Sequence, residues 1–338
     1  MVLRIAVMAV AGVALVASLT NESPLRARQP QSAGRPNLRV PDEAAGIEGI
    51  VQALISAFDK ADIVALGEAH DRKADSDLRI ALVRNPDFAK KARSIVVEFG
   101  STTEQATLDR YIRGENVPAA QLAQVWKTTT QAANGVWDDR IYADFFAAVR
   151  DVNSKLPADE RIRVFGGDPG PGDNRSRETA AVAVLKEQVL QKHGKALVIY
   201  GAAHFWRTLD AGYLSSMGED TGITRMLEME YPGRTFVVIP MGGREPVPPG
   251  VTDAIAPDYG KFDRALQTQV RPVLVSLQRL PFRDFTDEEF LGRTIFSCRG
   301  GPCVSVFKGS TLKLGQMADA CIYFGRTADV VFQPKQSK

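Results

Sequence analysis

From about Glu43 the chain alternates between two kinds of apolar pattern. Ile47, Ile50, Val51, Leu54, Ile55 and Phe58 recur at the three- and four-residue spacing of a helix with one buried face. Ile63-Val64-Ala65-Leu66 then forms a short unbroken apolar run, which reads as a strand covered on both faces. The alternation repeats. Strands are predicted at residues 94–97, 161–165 and 196–200, and helices near 78–83, 119–130, 138–153 and 175–192. Ser101-Thr102-Thr103-Glu104 has the form of a capping box opening the helix after the second strand. Later apolar runs predict strands at 235–240, 273–277, 304–307 and 320–324. Strands alternating with helices predict parallel pairing with helices on the sheet faces. The expected fold is therefore α/β: one domain over residues 43–332, with a mostly parallel central sheet flanked by helices. A helical insert lies between the second and third strands.

Composition changes this picture little. The 338 residues are 44% hydrophobic and 24% charged, as in ordinary globular chains. The net charge is +2, and no Lys/Arg run is interleaved with aromatics, so nucleic acid is not an expected partner. The first residues are more telling. Arg4 precedes an apolar and small stretch from Ile5 to Ala17, and Val16-Ala17-Ser18 offers small residues for cleavage. Residues 1–20 therefore read as a secretory signal, cleaved at about Ser18. The apolar run falls short of the ~20 residues that a bilayer span needs. The expectation is a secreted or periplasmic protein with no stable membrane span. Residues 21–42, rich in Pro, Arg, Gln and Ser, read as a disordered linker. In such a compartment Cys298 and Cys303, which flank Arg299-Gly300-Gly301-Pro302, are placed to pair across a hairpin. Cys321 sits in an apolar run and reads as a buried thiol.

The informative fact is positional. Four predicted strands finish on titratable residues with glycine close by: Gly67-Glu68-Ala69-His70, Glu98-Phe99-Gly100, Gly166-Gly167-Asp168 and Gly201-Ala202-Ala203-His204. Ligands of α/β sheets lie beyond the carboxyl ends of the strands. Parallel neighbours about 4.8 Å apart would bring these ends around one small ligand. The chain has three histidines, and two of them occupy these ends. Glu68, His70, Glu98, Asp168 and His204 are thus the candidate catalytic residues. Two chemistries fit that set. Glu68, His70, Glu98 and His204 are able to hold a divalent metal with a position left for water. Alternatively, one histidine acts as general base on water while a carboxylate orients it, with no metal.

Each residue also has a plainer reading. Glu68 and Glu98 follow apolar runs, where structural pairing with an arginine would satisfy them. Asp168 and Asp71 are suited to capping a turn or helix. His193, beside the helix-ending Gly194, suits a surface position at a helix C-terminus. Trp126, Trp137, Tyr142, Phe145 and Phe146 in the insert serve either as helix packing or as an apolar lid over the site. Arg150, two turns beyond Tyr142, is a candidate partner for a site carboxylate.

Ala65-Leu66-Gly67-Glu68-Ala69-His70, Val96-Val97-Glu98 and Gly201-Ala202-Ala203-His204 together resemble the superfamily joining erythromycin esterases, ChaN-like haem-binding uptake proteins and TIKI/TraB proteins. The stretch from Phe145 to Asp168 is similar to the esterase pattern, and Asp319-Ala320-Cys321-Ile322-Tyr323-Phe324 resembles the superfamily's final strand. The resemblance spans roughly residues 45–325 and is greatest to exported bacterial members. It implies a centre of Glu68, His70, Glu98 and His204. It also implies one of three activities: water activation against an ester, metal-dependent proteolysis, or haem binding. No cysteine follows the apolar leader as a lipid anchor, and Asp71-Arg72-Lys73 stands where the haem-binding branch carries a further histidine. The esterase branch's His-Gly continuation is absent too. The leading expectation is an exported ester or amide hydrolase acting on a small molecule or peptide. The alternatives are a haem- or metal-binding uptake protein and a catalytically silent interaction domain.

Overall fold

A computed structural model describes residues 41, 43–70, 72–137, 140–208, 222–241, 260–266, 268–287, 289, 295–298, 301–304 and 311–325. The expected leader and linker, Asp71, and the 305–307 part of one expected strand lie outside the described residues.

The strands are β1 (Glu43–Ala45), β2 (Ile63–Glu68), β3 (Ser94–Ser101), β4 (Arg163–Asp168), β5 (Ala196–Gly201), β6 (Thr235–Met241), β7 (Val273–Ser276), β8 (Ile295–Cys298), β9 (Gly301–Val304) and β10 (Ala320–Tyr323). Eight of them form one sheet in the order β1-β7-β10-β6-β2-β5-β3-β4. From β10 to β4 every pair is parallel. The other edge departs from the expectation. β7 runs antiparallel to β10, and the short strand β1, which no apolar run marks, runs antiparallel to β7. The strand expected at 304–307 is instead represented by β9, which pairs with β8 in a separate two-stranded ribbon. Its register sets Cys298 against Gly301 and Cys303 against Phe296. The two cysteine side chains lie outside the described residues, whereas Cys321 is a buried free thiol.

The helices that bear on the site are α1 (Gly46–Ala57), α2 (Lys73–Arg84), α3 (Pro86–Lys91), α4 (Gln105–Ile112), α5 (Ala119–Leu122), α6 (Gln124–Lys127), α7 (Arg140–Asn153) and α8 (Arg177–Gln188). Strand residues alternate between two cores. Val64, Leu66, Ile95, Val97, Leu197 and Ile199 face the layer of α1, α2 and α7. Ile63, Ala65, Val96, Ala196, Val198 and Tyr200 face the layer of α8 and the helix Ile223–Glu230. Burial on both faces is why these strands read as unbroken apolar runs.

Four helices lie between β3 and β4. Their aromatics pack as core: Tyr142, Phe145 and Phe146 are fully buried and converge on Phe99 with ring centroids 4.9, 5.7 and 5.5 Å away. The lid reading of these three residues is therefore replaced by packing. Two side chains bind this region to the edge strand. Asn153 donates to the Ile162 carbonyl and accepts from its N–H, both at 2.8 Å. The Gln105 amide donates to Val164 O at 2.8 Å and accepts from Gly166 N at 2.9 Å, which covers the open edge of β4. Ser101 caps the turn after β3 by accepting from Thr103 N, but Glu104 takes the Thr107 hydroxyl instead of completing a capping box.

Candidate functional site

The sheet register brings the predicted strand ends together. β5 lies between β2 and β3, and Glu68 of β2 is paired with Gly201 of β5. Gly201 is the floor of the site. Its amide donates to Glu98 Oε2 at 2.8 Å. A Cβ at this position would meet His70 Nε2 at 3.4 Å and Glu98 Oε2 at 3.5 Å. An imidazole and a carboxylate thus converge over its Cα, at ordinary to slightly tight contact distance for a side chain.

Two charged chains flank that floor. In the first, Glu68, buried at the end of β2, accepts His70 Nδ1–H at 3.1 Å through one oxygen and is ion-paired with Arg79 through the other. Arg79 comes from the buried face of α2. It is 1% exposed, and its guanidinium lies 4.9 Å from the Phe99 ring centre and 5.0 Å from that of Tyr142. The carboxylate accepts only, so the contact places a proton on Nδ1 of His70. The His70 ring also stands edge-on to Trp137, with centroids 4.7 Å apart.

In the second chain, His204 lies in the turn that follows β5. Its Nε2 is 3.3 Å from Glu98 Oε1 and its Nδ1 is 2.6 Å from Glu178 Oε1. Arg177 adds an ion pair to the same Glu98 oxygen. Burial alone would lower the His204 pKa, but the Glu98 charge and the hydrogen bonds from Glu178 and Glu98 raise it to about 9. His204 is therefore an imidazolium at neutral pH, with both nitrogens donating. Burial likewise works against the charge on Glu98, yet His204, His70 and Arg177 hold it well below the usual carboxylate range. Glu178, which burial would raise, is held at about 2 by His204. Glu68, Glu98 and Glu178 thus face Arg79, Arg177 and the two site histidines.

Asp168 is placed differently. It is fully buried at the end of β4, where Oδ1 accepts from Thr130 N at 2.8 Å and Gly170 N at 2.9 Å and Oδ2 accepts from Thr130 Oγ1 at 2.6 Å. Burial pushes its pKa up, and these hydrogen bonds pull against that shift. Its carboxylate is spent on anchoring the loop that carries Thr130, and it contacts neither site histidine. Arg150 is also absent from the site: it donates to the carbonyls of Gly114 and Glu115 and lies over Tyr111. His193 is exposed in a left-handed conformation (φ 54°) at a helix end, as its neighbour Gly194 suggests.

Three functional side chains were not singled out in the sequence. Arg79 carried a signal, since a cation stands among Leu78, Leu82 and Val83 on a helix whose other face is polar. Glu178 and Arg177 open α8 behind the N-cap Ser176, where an acidic first-turn residue reads as ordinary helix capping.

A divalent metal does not fit these residues. Each oxygen of Glu68 and Glu98 already faces a guanidinium, an imidazole or an amide, and both nitrogens of His204 face carboxylates. Among the described residues, no group of three or more His, Cys, Asp or Glu is arranged to hold a metal ion.

Residues 54–159 match the family model described as haem-binding uptake, Tiki superfamily, ChaN. No curated protein matches the chain at a significant level. Among solved structures, a Bacillus cereus protein is similar over 87% of this chain and 94% of its own, with 13% identity and a TM-score of 0.53. A succinoglycan biosynthesis protein is similar over 80% of this chain and 88% of its own, with 10% identity and a TM-score of 0.52. A variant of the erythromycin esterase EreC in its open conformation aligns over 87% of this chain and 96% of its own, with 11% identity and a TM-score of 0.49. At such identities the likeness of the first two is one of fold. The family match over residues 54–159 and the strand-end motifs fit the superfamily that joins erythromycin esterases, ChaN-like haem-binding uptake proteins and Tiki proteins.

Proposed function

We propose that the protein is an exported hydrolase of ester or amide bonds in which His70 is the general base. His70 Nε2 takes a proton from water as the oxygen attacks the substrate carbonyl. Glu68 holds the ring through Nδ1 and stabilises the imidazolium that forms, and Arg79 fixes Glu68 from behind. Arg177 and the His204 imidazolium supply positive charge for the carbonyl oxygen as it becomes negative. His70 then returns its proton to the leaving group.

The observation that carries this reading is the contrast between the two histidines. The His70 side chain is 37% exposed and held by one carboxylate, whereas the His204 side chain is 10% exposed and held between two carboxylates. The direct test is a panel of p-nitrophenyl acetate, p-nitrophenyl butyrate and γ-butyrolactone with purified protein. Turnover that disappears in His70→Ala supports the proposal, and a wild-type protein inert towards every member counts against it.

The family description favours a second reading, haem uptake. Haemin titration separates the two. A stoichiometric Soret shift that is lost in His70→Ala would support cargo binding, and a titration indistinguishable from free haemin would reject it.

A further inference from the structure

The site holds its acidic residues in an unusual way. Two glutamates at the ends of the strands on either side of β5 each carry a guanidinium from a different helix: Arg79 of α2 on Glu68 and Arg177 of α8 on Glu98. The arrangement is asymmetric. Arg79 is sealed beneath the insert aromatics at 1% exposure, whereas the Arg177 side chain is 26% exposed at the mouth of the site. Glu98 in turn is fully buried and is reached by His204 and the Gly201 amide. These glutamates and histidines are the donor types that a hydrolytic zinc or manganese site uses. A metal arriving there would have to displace a guanidinium from each carboxylate and then sit beside the displaced positive charge.

We propose that Arg79 and Arg177 are resident cations that take the place of a divalent metal, so that this centre works metal-free and rejects Zn2+ and Mn2+. Arg79 is the inner cation, which sets the position of Glu68. Arg177 is the outer one, which presents fixed positive charge to the substrate from the same carboxylate that a metal would have used. This inference rests on the hydrolase reading for its meaning, but its test reads metal affinity and does not depend on turnover.

The test is calorimetric titration of ZnCl2 and MnCl2 into the full chain after dialysis against EDTA. The wild-type protein is expected to show no binding in the micromolar range. Arg177→Met removes the guanidinium from Glu98 Oε1, which leaves that oxygen with His204 alone, and is expected to gain Zn2+ affinity roughly tenfold or more. Arg177→Lys retains a cation and is expected to stay with the wild type. Circular dichroism confirms that each variant is folded, and Arg177→Gln replaces the Met variant if that one is not. Stoichiometric metal binding by the wild type would overturn the proposal. So would a folded Arg177→Met or Arg177→Gln protein that gains no affinity. A protein that cleaves no ester yet follows this pattern would sink the hydrolase reading and leave the resident cations standing.

Discussion

His204 Nδ1 lies 2.6 Å from Glu178 Oε1, and this contact between the turn after β5 and the first turn of α8 joins the Glu98 charge in keeping the histidine protonated. The folded pKa of His204 is raised from 6.5 to about 9. Its charge therefore stabilises the fold fully below the unfolded value, and that contribution is lost as pH rises through about 9. Glu178 is lowered from 4.5 to about 2, so its contribution is complete above 4.5 and is lost as pH falls through about 2. Differential scanning calorimetry against pH should show an unfolding midpoint that declines from about pH 6.5 through the alkaline range to about 9 and levels beyond it. A midpoint that climbs through that alkaline range would contradict the assignment.

Removing the carboxylate at 178 should do more than weaken the fold. Glu178→Ala leaves His204 Nδ1 without its closest acceptor, at a cost of about 1.5–3 kcal/mol for a charge-assisted hydrogen bond. Urea unfolding measures that loss. Where an ester substrate has been found, kcat should fall while KM stays near the wild-type value, because the histidine acts on the transition state. Equal stability in Glu178→Ala and wild type would show that the contact contributes nothing.

Asp168 is expected to behave as an anchor. Asp168→Ala deprives Thr130 N, Thr130 Oγ1 and Gly170 N of their acceptor. About 1–3 kcal/mol is expected for each donor left buried and unsatisfied. Asp168→Asn keeps one oxygen and should be milder. The hydrolytic rate of a folded Asp168→Asn protein should stay within about tenfold of the wild type, since a positioned acid or base typically contributes ~100-fold or more. A larger loss in that variant, with stability intact, would return Asp168 to the reacting groups.

Gly167 has no room for a side chain, because the Tyr200 hydroxyl occupies the space that its Cβ would fill. The Tyr200 ring is fully buried and stands 5.6 Å from the His204 ring, so it has nowhere to retreat without disturbing that histidine. Gly167→Ala should cost about 1–3 kcal/mol as overpacking. The thermal midpoint checks this, and an unchanged midpoint would mean that the ring moves freely.

Much of this centre could be read from the chain because strand ends leave a clear mark. Glu68, His70, Glu98 and His204 each stand at the end of an apolar run with glycine close by, and parallel pairing of β2, β5 and β3 carries all four to Gly201. The directions of β1 and β7 left no such mark, since an apolar run is the same whichever way its strand points. Arg79, Arg177 and Glu178 were hidden for a related reason. Their partners lie 11, 79 and 26 residues away, and only the packing of α2 and α8 on the sheet brings them close. The expected metal set missed those arginines and counted as open ligands carboxylates that were already satisfied. Asp168 shared the glycine-flanked strand end of the others but spends its oxygens on the Thr130 amide and hydroxyl and the Gly170 amide.

The assignment of His70 as the base is tested most directly by kcat/KM of His70→Ala towards p-nitrophenyl butyrate, with and without added imidazole. The account predicts a fall of about 100- to 10,000-fold, partly restored as free imidazole enters the space beside Glu68. A His70→Ala enzyme that keeps the wild-type rate would contradict it.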